Sequence, residues 1–204
     1  MLASASPRRA DLLRQLRIPF EQVVSPVEEP EPDGGDPKAF VIRSATAKAR
    51  AVAALLAPTR GTPGDRGSST LVIGADTVVW CEDRVLGKPG SPEEAALTLR
   101  WLAGRQHTVC TGVAVLGPAP DRVATACETS RVTLSAMSEA AVISYVATGE
   151  PLDKAGSYAI QGLGARFVEC VEGCYYNVVG LPLARLCSLL RSAGYDTDSI
   201  QDSG

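Results

Sequence analysis

Asp76 and Lys88 are an acid and an amine that a short stretch of this chain brings together. They belong to residues 74–89, GADTVVWCEDRVLGKP. The apolar run Leu71-Val72-Ile73 predicts a strand that stops at Gly74, with Asp76 and Thr77 directly after it. A second apolar run, Val78-Val79-Trp80, leads to a polar turn at Glu82-Asp83 and a return through Val85-Leu86 to Gly87-Lys88. Strand, turn and return make a hairpin-like unit with Asp76 and Lys88 near one another. An acid and an amine at glycine-flanked strand ends suit a phosphate and metal site. They equally suit a surface salt bridge on a hairpin.

Other residues of the same chemical types sit at predicted element ends. Residues 1–3 read as a strand end, Ser6 as an N-cap and Pro7 as the first helical residue, with Leu12, Leu13 and Leu16 as the apolar stripe. Ser4, Ser6, Arg8 and Arg9 then lie at a strand-to-helix junction, where backbone N–H groups and guanidinium forks attract anions. An ordinary capped helix with exposed arginines would give the same pattern. Residues 21–27 are strand-like and lead into an acidic loop at 28–37, where Glu28 and Glu29 are the acids best placed to face a site. A helix is predicted over 38–57 with the stripe Val41, Ala45, Ala49, Val52 and Leu56. Lys48 falls roughly 60° from the middle of that stripe, so it either snorkels or reaches for an anion.

The remaining elements frame these groups. Residues 58–69 are a Pro/Gly/Ser-rich loop. Ser91-Pro92-Glu93-Glu94 opens a helix to about Ala103. Residues 107–116 form a strand with Val109, Thr111, Val113 and Val115 on one face. After a turn at 117–121 it continues as a hairpin through 122–134. A helix over 139–148, a long polar and glycine-rich loop over 149–164, a strand over 166–171 and a final helix striped by Leu183, Leu186 and Leu190 complete the pattern. A loop of that length in a compact domain is usually functional.

Composition narrows the classes. The chain has 204 residues, 45% hydrophobic and 21% charged, with a net charge of −3. That length suits one domain over residues 1–194 with a polar tail at 195–204. The acidic balance argues against a general nucleic-acid binder. The six cysteines form no CxxC pair and read as free thiols of a reducing compartment, and no apolar run approaches the ~20 residues of a membrane span. A cytoplasmic protein is the expectation. His107 is the only histidine and has no ligand-spaced partner, so a structural or supporting role is expected of it. A Ser/His/Asp triad and a Walker phosphate loop are absent. What remains is a set of cations (Arg8, Arg9, Lys48, Lys88), two acids (Glu29, Asp76) and a polar loop containing Gln161. Cations hold phosphates, and paired carboxylates hold a hard divalent ion. The combination suggests metal-assisted hydrolysis of a phosphoanhydride.

Along nearly its whole length the chain resembles the Maf family of nucleoside triphosphate pyrophosphatases. The resemblance is carried by LASASPRR at 2–9, SPVEE at 25–29, Lys48-Ala49, GADTVV at 74–79 and LGKP at 86–89. It continues in HTVCTG at 107–112, GEPLDKAGSYAIQG at 149–162 and NVVGLPL at 177–183. It implies an α/β fold of the Maf and inosine triphosphate pyrophosphatase type: a long mixed sheet flanked by helices, with two lobes and a central cleft. It implies hydrolysis of a nucleoside triphosphate to the monophosphate and pyrophosphate with Mg²⁺ or Mn²⁺. Asp76 then matches the catalytic and metal-binding acid, with Glu29 beside it on the metal. Ser6, Arg8, Arg9, Lys48 and Lys88 serve the phosphates, and Thr77 and Gln161 match positions tied to base choice. The pairing of GADT with AIQG resembles the dTTP/UTP branch rather than the branch acting on 7-methyl-GTP. Dimers are expected in this family. The name is also associated with septum formation, so a nucleotide-sensing regulator is the competing expectation. Two departures stand out: Val27-Glu28-Glu29 replaces the family's usual Ile-Asp-Glu, and the loop at 58–69 is long.

Overall fold

The computed structural model describes residues 1–27, 35–56, 70–117 and 122–198. Among them a six-stranded mixed sheet carries helices on both faces. Its strands are β1 (Leu2–Ala3), β2 (Val72–Cys81), β3 (Arg84–Leu86), β4 (Gln106–Leu116), β5 (Val123–Leu134) and β6 (Val168–Glu172). The order is β1-β2-β4-β5-β6, with β3 on β2; only the β1–β2 pairing is parallel. The helices are α1 (Pro7–Gln15), α2 (Pro37–Leu56), α3 (Pro92–Leu102), α4 (Glu139–Val146), α5 (Tyr175–Val179) and α6 (Leu183–Ser192). The α/β architecture expected from the sequence is the one observed.

The start signals act as their chemistry requires. Ser91 accepts from the Glu94 N–H and caps α3, and Ser138 accepts from Ala141 at the start of α4. Ser6 is the N-cap of α1 and Pro7 its first residue, but the Ser6 side chain makes no capping bond. The strand expected over 21–27 shrinks to a single bridge between Gln22 and Leu2.

Alternation along β2 and β4 divides the packing into two faces. On one, α2 lies flush against the sheet, with Ala45, Ala49 and Val52 on Val72 and Ala114. The approach is so close that a Cβ at Gly74 would lie 2.1 Å from the Ala45 carbonyl oxygen, and one at Gly112 would lie 2.4 Å from that of Val41. Gly74 is therefore a contact point inside a continuous ten-residue strand, not the strand end expected from sequence. The opposite face carries two cores. One joins Leu12 and Leu13 of α1 to Val113 and Leu186; the other joins Leu99 and Leu102 of α3 to Val109 and Tyr145.

The long loop after α4 is not featureless. It folds into short 3₁₀ turns at Glu150–Asp153, Ala155–Ser157 and Leu163–Phe167. The strand after it begins at Val168, two residues later than expected. The five-residue α5 was not anticipated. It is closed by Gly180 at φ 117°, a left-handed conformation that glycine takes without strain.

Candidate functional site

The site follows from an interruption at the edge of β2. β1 pairs only with Ile73 and Gly74, and β3 only with residues 79–81. Between them, residues 75–78 have no strand on that side among the described residues. A cleft of about 480 Å³ opens there. Its walls come from the β1–α1 junction, from β2, from Gly87 and Lys88 after β3, from the 3₁₀ turns after α4, and from the end of α5. Asp76 and Thr77 are neighbours, so their side chains leave β2 on opposite faces. Because the edge is open, both line the same cleft.

On the α2 face the site is charged. Lys48 Nζ donates to Asp76 Oδ1 at 2.7 Å, with Lys48 only 5% and Asp76 9% exposed. The contact exists because the helix sits on Gly74 and Gly112, which lets a lysine at the border of its stripe reach the strand. Among the described residues Asp76 Oδ2 meets no donor. The partner of Asp76 is thus Lys48 from the helix, where the sequence suggested Lys88; Lys88 lines the same cleft from beyond the hairpin.

On the other face a buried guanidinium is tied to protein acceptors. Arg9 Nε donates to Gly180 O at 2.8 Å. Nη1 donates to Ala75 O at 2.9 Å and to Ser4 Oγ at 3.2 Å, and Nη2 to Thr77 Oγ1 at 3.0 Å. A guanidinium has five N–H donors, so most of this one is committed to protein acceptors, and Arg9 acts first as a strut between α1, β2 and α5. Thr111 Oγ1 donates to Asn177 O at 3.1 Å and lies 2.9 Å from Thr77 Oγ1. A hydroxyl has one proton. Thr111 gives its proton to a carbonyl, so Thr77 must donate to Thr111. With its proton spent and one lone pair taken by Arg9, Thr77 Oγ1 faces the cleft as an acceptor only. Asn177 anchors the chain through Nδ2 to Val109 O at 3.0 Å and Ser130 Oγ at 2.9 Å.

The rim completes the arrangement. Arg8 Nη1 reaches Asp153 Oδ2 at 3.4 Å across the mouth, and Lys154 Nζ holds Asp153 Oδ1 at 2.5 Å. Ser6 lines the cleft at the start of α1. Gln161 lines it from the segment after α4, which Glu150 organises. The Glu150 carboxylate takes bonds from Tyr145 Oη at 2.7 Å and from the N–H groups of Leu163 and Gly164, both at 2.9 Å. Burial works to raise its pKa, and those bonds outweigh it, leaving it below the usual carboxylate value. His107 is buried against Tyr158, with Nε2 2.8 Å from the phenol oxygen. Burial lowers its pKa to about 4, so it is neutral at physiological pH. That fits the structural role expected of it. Glu29 and the loop at 58–69 lie outside the described residues.

Sequence reasoning missed Asp153, Lys154, Thr111 and Asn177 as parts of the site. Asp153 and Lys154 carried a signal, adjacent opposite charges in a glycine-rich loop. Thr111 also did, as a polar residue within a valine face.

Comparison with known proteins places the chain in a family. A family model described as Maf-like protein matches residues 1–193. The dTTP/UTP pyrophosphatase of Pelotomaculum thermopropionicum is 49% identical over 196 residues, covering 96% of this chain and 97% of that protein. That of Moorella thermoacetica is 49% identical over 197 residues, covering 96% and 95%. That of Koribacter versatilis is 46% identical over 194 residues, covering 95% and 94%.

Proposed function

This chain belongs to the Maf family, and from that premise we propose that it hydrolyses dTTP and UTP to the nucleoside monophosphate and pyrophosphate. The observation that carries the proposal is Asp76 at the open edge of β2, held by Lys48 on one oxygen and facing the cleft with the other.

The donor set suits a hard cation. A divalent ion such as Mg²⁺ keeps several waters and takes one or two carboxylates plus substrate phosphates. Among the described residues no donor meets Asp76 Oδ2, and Glu29 is the second acid proposed to hold the ion. Mg²⁺ or Mn²⁺ bound there would supply acidification of water and neutralisation of phosphate charge.

The chain's own groups do the rest. Asp76 orients the attacking water toward the α-phosphorus and accepts its proton. Lys48 fixes the Asp76 carboxylate by its hydrogen bond to Oδ1. Arg8 and Lys88 neutralise the triphosphate, with Ser6 at the helix start beside them. Arg8 exchanges its contact with Asp153 for a phosphate oxygen. Arg9 does not need to leave its protein acceptors; it holds Thr77 in place. Thr77 Oγ1, an acceptor only, meets the N3–H of uracil or thymine. Cytosine has an unprotonated N3 and presents the wrong partner. Gln161 offers a donor and an acceptor to the same base. The working unit is proposed to be a cytoplasmic homodimer. The absence of a helix long and apolar enough to cross a membrane among the described residues is compatible with it, as are six free thiols.

The test is pyrophosphate release across a panel of triphosphates with Mg²⁺ or Mn²⁺, and with EDTA as the control. Release from dTTP and UTP, abolished by EDTA, is expected. Tight binding without release would move the protein to nucleotide sensing, and preference for 7-methyl-GTP would move it to the sister branch.

A further inference from the structure

Two cysteines that the proposed reaction does not use lie on the α2 face of the sheet. Cys110 of β4 is opposite Thr129, and Cys127 of β5 is opposite Gly112, so the two are diagonal neighbours on one face. Their Sγ atoms are 3.2 Å apart, and both are free thiols. The two differ in environment. Cys110 is buried, while Cys127 is partly exposed. The hydrogen bond between the two sulfurs holds the Cys127 thiol below the ordinary value, and Lys38 of α2 acts in the same direction. That same bond, with burial, pushes Cys110 up. The more accessible sulfur is thus the one that ionises first, and reactivity follows thiolate character and exposure. A second cavity, of about 490 Å³, reaches Cys110 beside Lys38 and Trp80.

We propose that Cys110 and Cys127 are an oxidation site, a dithiol that hydrogen peroxide closes to an intrachain disulfide. The Cys127 thiolate attacks one peroxide oxygen. An S–O bond forms, the O–O bond breaks and hydroxide leaves, taking up the proton that Cys127 had released. Cys110 then attacks the sulfenic sulfur. The S–S bond forms, the S–O bond breaks, and the departing oxygen leaves as water with the Cys110 proton. The two thiols lose two electrons, and peroxide becomes two waters.

The consequence reaches the cleft. Cys110 packs with Phe40, Val41 and Val78, and Phe40 and Val78 line the cleft. Closing from 3.2 Å to a bond of about 2.05 Å draws on that wall. This second part rests on the proposed activity.

The reduced chain would be treated with a small excess of hydrogen peroxide, alkylated and digested without reductant. A Cys110–Cys127 peptide pair two hydrogens lighter than the free thiols is expected, reversed by dithiothreitol. In Cys110→Ser, Cys127 should instead accumulate sulfenic acid trapped by dimedone. The proposal is overturned if the exposed Cys170 reacts faster than Cys127, or if both thiols stay alkylatable. On dTTP, a KM change of about threefold or more on oxidation supports the link to the cleft, and an unchanged KM overturns it. A reduced chain inactive on every triphosphate would overturn the proposed activity and leave the thiol result standing.

Discussion

The two faces of β2 at its open edge solve the same problem, holding a polar group in a buried place, in opposite ways. On the α2 face the ion pair of Lys48 with Asp76 leaves one carboxylate oxygen without a donor among the described residues. On the other face a chain of hydrogen bonds runs from the Arg9 guanidinium through Thr77 and Thr111 to Asn177, with no carboxylate in it, and uses nearly every donor it has. A buried ion pair is costly to break but leaves charge available for a ligand. A saturated network offers little charge, but it fixes the direction of each proton. The first arrangement suits catalysis and the second suits reading a base.

Substitutions can break this contrast. Asp76→Asn is expected to lower kcat about 10²–10⁴-fold, the usual share of general-base assistance. The chain should stay folded, because the amide oxygen can still accept from Lys48; near-normal kcat would sink the assignment. Lys48→Met leaves the Asp76 charge buried and unpaired, and a loss of about 3–5 kcal/mol in denaturant unfolding is expected. A loss under 1 kcal/mol would mean the pair is solvated.

The Thr77 face has its own pH dependence. His107 takes up a proton near pH 6.5 when unfolded and only near pH 4 when folded. The unfolded state therefore binds more protons between those values. Stability is full above about pH 6.5 and falls by about 3 kcal/mol as pH drops toward 4. His107→Gln should flatten that part of the pH–stability curve.

Smaller effects test the base reading. Thr111→Val frees the Thr77 proton to turn into the cleft. The preference for UTP over CTP should then fall about tenfold, the worth of roughly one hydrogen bond, and Thr111→Ser should restore it. An unchanged ratio would show that Thr77 does not read the base. Gln161→Ala should weaken discrimination among bases by a few-fold with no change in thermal stability, since Gln161 is exposed.

Local chemistry made most elements legible. The Ser91 box, the Ser6-Pro7 start and the valine alternation of β4 each gave an element close to its observed bounds. What sequence could not supply was contact between elements. Lys48 and Asp76 are 28 residues apart in the chain, and their pairing depends on how closely α2 approaches Gly74 and Gly112. The same glycines misled the strand reading, because a glycine required by a neighbouring helix looks like a strand stop. Arg9 and Arg8 are adjacent and chemically alike, yet one is a strut and the other faces the cleft mouth. Only the direction each takes from α1 separates them. The five residues of α5 were too few for a periodic signal.

The gap between β1 and β3 also bears on how the protein avoids self-association. An unpaired strand edge invites another chain to add to it. Among the described residues the unpaired run covers only residues 75–78, about 13 Å of strand, which is shorter than a typical pairing strand. β1 blocks one end and β3 the other, and Arg9 already occupies the Ala75 carbonyl. A run that short gives a β-strand from a neighbouring molecule few backbone groups to pair with. The sheet can therefore leave its chemistry at an open edge without presenting a template for aggregation.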